Sequence, residues 1–258
     1  MRLMKRILSA AAVLALSASL LVGCSSGTAS SVPVSASSAA ESTVSSVEET
    51  ASSAVDENAA AAVQLLNDLT GSYQELWPVI LADEYQQTWL DDCTALVGEE
   101  NAEAAFEKLS SMVTGDVYGE DAVEAYANGG GAYFCGFTND LATLTFDGET
   151  STISGTDKDG NVLFSHTYHY IGMEPVHGLY EFESDDADSG EFTYFFLAPD
   201  TSAETYHIEF RYGSDAEALS QYDTGEYAYW LASGISTDCD QTMIDNCIEL
   251  FCTENLAG

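Results

Sequence analysis

The sequence predicts an α+β chain that is mainly β: an antiparallel barrel with helices at both ends. Three observations carry this reading. Apolar residues between about 59 and 128 recur at helical spacing. From Leu141 to Tyr212 the period changes to two, and Gly-containing turns separate the alternating runs. After Gly213 the helical pattern returns. A run of consecutive antiparallel strands tends to close on itself, because closure removes exposed edges.

The first segment, 1–23, reads as an export signal. Arg2, Lys5 and Arg6 precede an apolar run from Ile7 to Val22, which is too short and wrongly flanked for a spanning helix. Leu21-Val22-Gly23-Cys24 resembles a bacterial lipobox. That resemblance implies cleavage before Cys24, lipidation of Cys24, and an extracytoplasmic chain anchored to the cell membrane rather than crossing it. Residues 24–58 follow as a tether of Ser, Ala, Val, Thr and Glu with no aromatic residue. Such a composition cannot bury enough apolar surface to offset the entropy of ordering. Asp56-Glu57-Asn58 offers a cap for the first helix.

One folded domain is expected over 59–258, helical over 59–128, barrel over 129–213 and helical again over 214–258. Val63, Leu65, Leu66 and Leu69 form an apolar stripe that Gly71 ends or kinks. Helical patterns follow through Tyr85, Trp89 and Leu90, from Ala102 to Met112, and from Asp121 to Ala127. Gly129-Gly130-Gly131 breaks the pattern. Strands are predicted over Leu141–Phe146, Thr152–Ser154, Val162–Tyr170, Leu179–Glu183, Gly190–Phe196 and Glu204–Tyr212. Turns fall at Asp147-Gly148 and Asp159-Gly160. Helices are predicted at Asp215–Leu219 and Asp240–Thr253.

The chain carries 43 acidic and only 6 basic residues, a formal charge of −37. Outside the signal segment the cations are Lys108, Lys158 and Arg211. This field repels nucleic acid and anionic lipid headgroups, which excludes a nucleic-acid partner. It attracts cations everywhere, so charge alone marks no metal site. Five cysteines follow Cys24: Cys93, Cys135, Cys239, Cys247 and Cys252. Their odd number leaves at least one thiol outside any pairing within a monomer, and their spacing assigns no pairs.

Several segments resemble the ZinT (YodA) family of secreted zinc- and cadmium-binding proteins, whose domain also closes AdcA-type zinc-capture lipoproteins. Gly71-Ser72-Tyr73-Gln74 followed by Trp77-Pro78 is similar to the family's G-x-W/Y-Q, aromatic-Pro opening. Gly190-Glu191-Phe192-Thr193-Tyr194 is similar to its G-x-F-x-Y strand, and Thr205-Tyr206-His207 stands where the family has H-x-H. The resemblance is patchy but collinear from about Leu65 to Leu256, with an extra stretch between about 92 and 120. It implies a calycin/lipocalin-like barrel, zinc or a similar divalent ion as cargo, and a metal-import transporter component as partner. The family's S-D-H segment and its His-rich N-terminal stretch are missing here, so the implied ligand set is reduced.

His207 is the strand histidine that the resemblance retains. Alternation places Tyr206, Ile208, Phe210 and Tyr212 on one face of the last strand, a packing face. Thr205, His207, Glu209 and Arg211 lie on the other, which is expected to be solvent-exposed or to line a polar barrel mouth. Zinc takes three or four N, S or carboxylate ligands. The candidates beside His207 are His177 before the strand Leu179–Glu183, Glu209, and Asp200 near the place of the lost S-D-H; His169 and Glu204 are further choices. His166 and His169 face opposite sides of one strand. Asp157–Asn161 and Asp185–Gly190 lack the glycine and glutamate positions of an EF-hand and read as hairpin turns. No nucleophile elbow, zincin helix, P-loop or dinucleotide-binding motif occurs in the sequence, so an enzyme is not expected. The alternative to metal capture is a metal-free barrel that binds a small ligand or a protein through Tyr227, Tyr229 and Trp230.

Overall fold

The computed structural model describes residues 57–127, 131–199 and 207–257. The export signal, Cys24, nearly all of the tether, Asp200 and Glu204–Tyr206 lie outside the described residues. A helix over 57–68 (α1) opens the described chain. Strand β1 (Gly71–Glu75) runs straight into α2 (Leu76–Ile80), then α3 (Gln86–Val97), α4 (Glu99–Val113) and α5 (Glu120–Ala125) follow. The strands β2 (Thr143–Asp147), β3 (Thr152–Thr156), β4 (Val162–Met173), β5 (Tyr180–Ser184), β6 (Tyr194–Leu197) and β7 (His207–Gly213) come next. A short α6 (Ala216–Leu219), β8 (Ala232–Ser236) and the long α7 (Gln241–Leu256) complete the chain.

Among the described residues the eight strands close into an antiparallel barrel in sequence order, with β8 paired to β1. Two closing strands depart from the sequence reading. β1 lies inside the stretch read as helical, and β8 inside the C-terminal helical stretch. Each stands between helical patterns, without the Asp-Gly turn and neighbouring alternating run that mark a hairpin. β8 is also built from small residues, and Gly234 there lets the wall approach Ile208, whose Cγ1 would stand 3.0 Å from an added Cβ. The turns behave as the sequence indicates. Asp147 accepts from the backbone N–H of Glu149 at 3.1 Å, and Asp157 from those of Asp159 and Asn161 at 2.9 and 2.8 Å. These carboxylates close their own turns.

Two cores share the barrel wall. The first fills the barrel: Phe146, Phe164, Tyr168, Phe182, Phe195, Phe210 and Tyr212 are buried together, and Phe164 on β4 reaches Phe195 on β6 with ring centres 5.9 Å apart. Each such side chain contributes roughly 1.5–3 kcal/mol by leaving water. α1 and the turn after it dock on this core through Ala62, Leu65, Leu66 and Leu69, whereas Val63, read as part of that stripe, is 49% exposed. The second core lies outside the wall. There Ile235 of β8 packs with Leu76, Trp77 and Ile80 of α2, Trp89 and Cys93 of α3, and Ile244, Ile248, Phe251 and Cys252 of α7. No helix among the described residues is long and apolar enough to cross a membrane.

Candidate functional site

Strand alternation fixes the orientation of the candidate residues. Ile208, Phe210 and Tyr212 of β7 belong to the core inside the barrel, so His207, Glu209 and Arg211 point outward. The outward face is neither open to solvent nor a barrel mouth, because the helical layer covers it. In the register His207 stands opposite Ile235 and Glu209 opposite Ser233. His207 is only 9% exposed, and burial pulls its imidazole from the ordinary 6.5 down to about 4. The ring is therefore neutral at pH 7, the form that ligates metals.

His207 and Glu209 line a small cavity of about 20 Å³ whose far side is α7, with Cys247 and Glu254, and whose floor includes Leu76 and Ile80. Cys247 and Glu254 are seven apart on α7, two turns, and so share one helix face. Glu209 also lines a neighbouring cavity of about 60 Å³, together with Trp77, Tyr133, Cys135, His177, Tyr222 and Ser233. That space has room for on the order of four waters. Trp77 and Phe251 border both cavities.

His177 reaches the larger cavity from the turn after β4. Glu174, fully buried, accepts from the backbone N–H of Val176 at 2.7 Å and of His177 at 2.6 Å. Burial works to raise the Glu174 carboxyl, but these bonds and the adjacent His177 side chain hold it below its ordinary value. The His177 ring lies 3.8 Å from that of Tyr222, which in turn lies under the Arg211 guanidinium at 4.2 Å. Three buried polar atoms of cavity-lining residues make no regular hydrogen bond: Trp77 Nε1, the Tyr222 hydroxyl, and His177 Nδ1, which stands 3.5 Å from a Glu174 carboxylate oxygen.

The structure thus brings His207 and Glu209 together, and His177 and Glu209 together, across two adjoining cavities. Among the described residues no group of three or more His, Cys, Asp and Glu side chains is arranged to hold a metal ion. Asp200 lies outside the described residues. His169 lines neither cavity; its Nδ1 pairs with Asp185 at 2.7 Å, while His166 pairs with Asp186 at 2.7 Å. Of the aromatic residues read as a ligand mouth, Tyr227 and Trp230 are structural instead, while Tyr229 is half-buried beside Tyr126 and Tyr133. Trp230 is fully buried and donates to the carbonyl of Gly136 at 2.9 Å, and Tyr227 is 4% exposed beside it.

The sequence matches no protein-family model and no curated protein. The structure is similar to the Zn(II)-bound ZinT-like domain of Streptococcus pneumoniae AdcA, at 17% identity and a TM-score of 0.45, over 71% of this chain and 89% of that one. It is also similar to Zn(II)-bound AdcA from the same organism, at 14% identity and a TM-score of 0.42, over 72% of this chain and 35% of that one. The first of these is a domain of the family that the sequence resembles.

The burial of His207 has a measurable consequence. An unfolded histidine takes up its proton near pH 6.5, and the folded one only near 4. The unfolded state therefore binds more protons in that interval, and the stability due to neutral His207 is complete above pH 6.5 and is lost as pH falls toward 4. The full difference is about 3 kcal/mol. Urea unfolding at several pH values is expected to show this acid loss in the native chain and not in His207→Gln. Comparing the two removes the contribution of the acidic surface, which both share.

Proposed function

We propose that the chain is an exported, lipid-anchored binding protein for zinc or a similar divalent ion, accessory to metal uptake or homeostasis. A binding role fits the site better than a catalytic one. The observation that carries this reading is that His207 and Glu209 share one face of β7 and line one cavity beneath α7, where burial keeps the imidazole neutral. Zinc binds neutral imidazole nitrogen and carboxylate oxygen. A histidine already neutral at pH 7 releases no proton on binding, so its ligation does not compete with protonation until well below pH 6. Glu209 supplies negative charge at the wall between the two cavities. His177, which lines the adjoining cavity with Glu209, and Asp200, from the segment before β7, are the further candidate ligands, and the anchor at Cys24 holds the domain at the membrane. The partner implied is a component of a metal-import transporter.

Zinc competition against a chromophoric chelator tests this, on a chain beginning at Ser25 with thiols blocked, beside His207→Ala. One ion per chain with sub-micromolar affinity, weakened at least ~100-fold by the substitution, is the expected result. Weak binding of several ions, unchanged by the substitution, would sink the metal reading and leave the acidic surface as the only cation sink. The second reading, a metal-free barrel that binds a small molecule, is favoured by one observation: the larger cavity, apolar but for Glu209 and a few donors, gathers Trp77 Nε1 and the Tyr222 hydroxyl, which make no regular hydrogen bond.

A further inference from the structure

All five cysteines after Cys24 lie in or against the second core, and two of them touch. Cys93 comes from α3 and Cys252 from α7; their sulfurs are 3.9 Å apart, and both residues are fully buried. A disulfide needs about 2.0 Å between sulfurs, and side-chain torsions at the two residues are the motions that would close the gap. We propose that Cys93 and Cys252 are a disulfide site, formed by exchange with the disulfide of a small thiol or of a thiol-exchange protein, that staples α7 to α3 over the His207 cavity.

The chemistry balances in two exchanges. One protein thiolate attacks the donor disulfide, forming a mixed disulfide and expelling one donor thiolate. The second protein thiolate attacks the protein-bound sulfur, closing Cys93–Cys252 and expelling the other donor thiol. Two electrons and two protons pass from the protein to the donor. Burial raises the pKa of both thiols, and Cys93 lies beside Asp92, which raises it further. The folded thiols are therefore poor nucleophiles. Exchange belongs to folding, before α7 docks, and the finished bond is shielded from reductant. The bond closes a loop across a separation of 159 residues, which restricts the unfolded chain more than a short loop would.

The staple has a place in the function. α7 carries Cys247, Phe251 and Glu254, which line the cavity of His207, and the bond at Cys252 holds that helix against α3. Formation of the bond in the cell rests on the export reading, because oxidising compartments permit it. The test does not, since it supplies the oxidant.

The closed barrel and both cores lie within residues 57–257, so a chain beginning at Ser25 keeps every described contact. That chain is unfolded, reduced and refolded in mixed reduced and oxidised glutathione, then unfolded and alkylated. The expected product has three alkylated cysteines instead of the five present, and proteolysis yields one linked peptide pair containing Cys93 and Cys252. Its Tm is expected to exceed that of the reduced chain by about 10 °C. Adding oxidised glutathione to the already folded reduced chain should form the bond at least ~10-fold more slowly than refolding does. Five alkylated cysteines after refolding, or a linked pair other than Cys93–Cys252, would overturn the proposal. Mapping is done on the native sequence, so a variant that fails to fold cannot obscure the result. Zinc titration of the same samples is a separate readout: a linked chain that binds no zinc leaves the disulfide standing and removes only the metal reading.

Discussion

Arg211→Ala is expected to cost about 3–5 kcal/mol of stability, the scale on which an uncompensated buried polar network fails. Arg211 is fully buried on the outer face of β7. Its guanidinium donates to the carbonyls of Leu219, Gln221 and Tyr227 and lies over the Tyr222 ring. Burial pulls its pKa down from the ordinary value, while Tyr222 and other neighbours oppose that shift. The side chain thus supplies hydrogen bonds to a segment, 219–227, that has little regular structure of its own. Alanine would leave those carbonyls buried without donors. Arg211→Lys is expected to recover only part of the loss, because an ammonium cannot reach several carbonyls in one plane as the fork does. Urea unfolding of the variants measures this. A loss below ~1 kcal/mol for alanine would mean that water replaces the guanidinium at little cost.

Trp230→Ala is expected to cost a similar ~3–5 kcal/mol, as large-to-small changes at buried aromatic positions do. Trp230 has no exposed surface. Its ring stands edge-on to Tyr212 at 5.0 Å between centres and beside Tyr118 and Tyr227 at 5.6 and 5.9 Å. Removal opens a void and leaves the Gly136 carbonyl without its donor. Trp230→Phe should retain most of the packing and lose mainly the hydrogen bond, about 1 kcal/mol. The experiment separates two roles for this residue. A ligand-contacting tryptophan at a barrel mouth would change stability little on truncation, whereas a core tryptophan would change it greatly.

The six central strands were legible because their signals are local. Alternation and Asp-Gly turns lie within a few residues of one another, and β2 to β7 fall close to the predicted runs. The closing strands β1 and β8 were not legible, because their pairing is a long-range event between the two ends of the domain. Tyr73 and Ser236 face each other across 163 residues of sequence, and nothing local announces it. The parity of β7 was read correctly: His207, Glu209 and Arg211 do share a face. What covers that face was not, since α7 and the 219–227 segment reach it only in three dimensions. Arg211 shows the limit plainly. A lone arginine in a strand of an acidic protein reads as a surface cation, and only the carbonyls gathered around it reveal a buried one. The pairing of Cys93 with Cys252 was open for the same reason, since the two helices that carry them meet only in the fold.

The central claim is that His207 and Glu209 together take a divalent ion between the barrel wall and α7. Crystals grown with one equivalent of zinc, with diffraction recorded on either side of the zinc absorption edge, test it most directly. The account predicts an anomalous peak at about 2.0–2.3 Å from a His207 ring nitrogen and from a Glu209 carboxylate oxygen. Anomalous peaks confined to exposed carboxylates, with the space beside His207 empty, would contradict it.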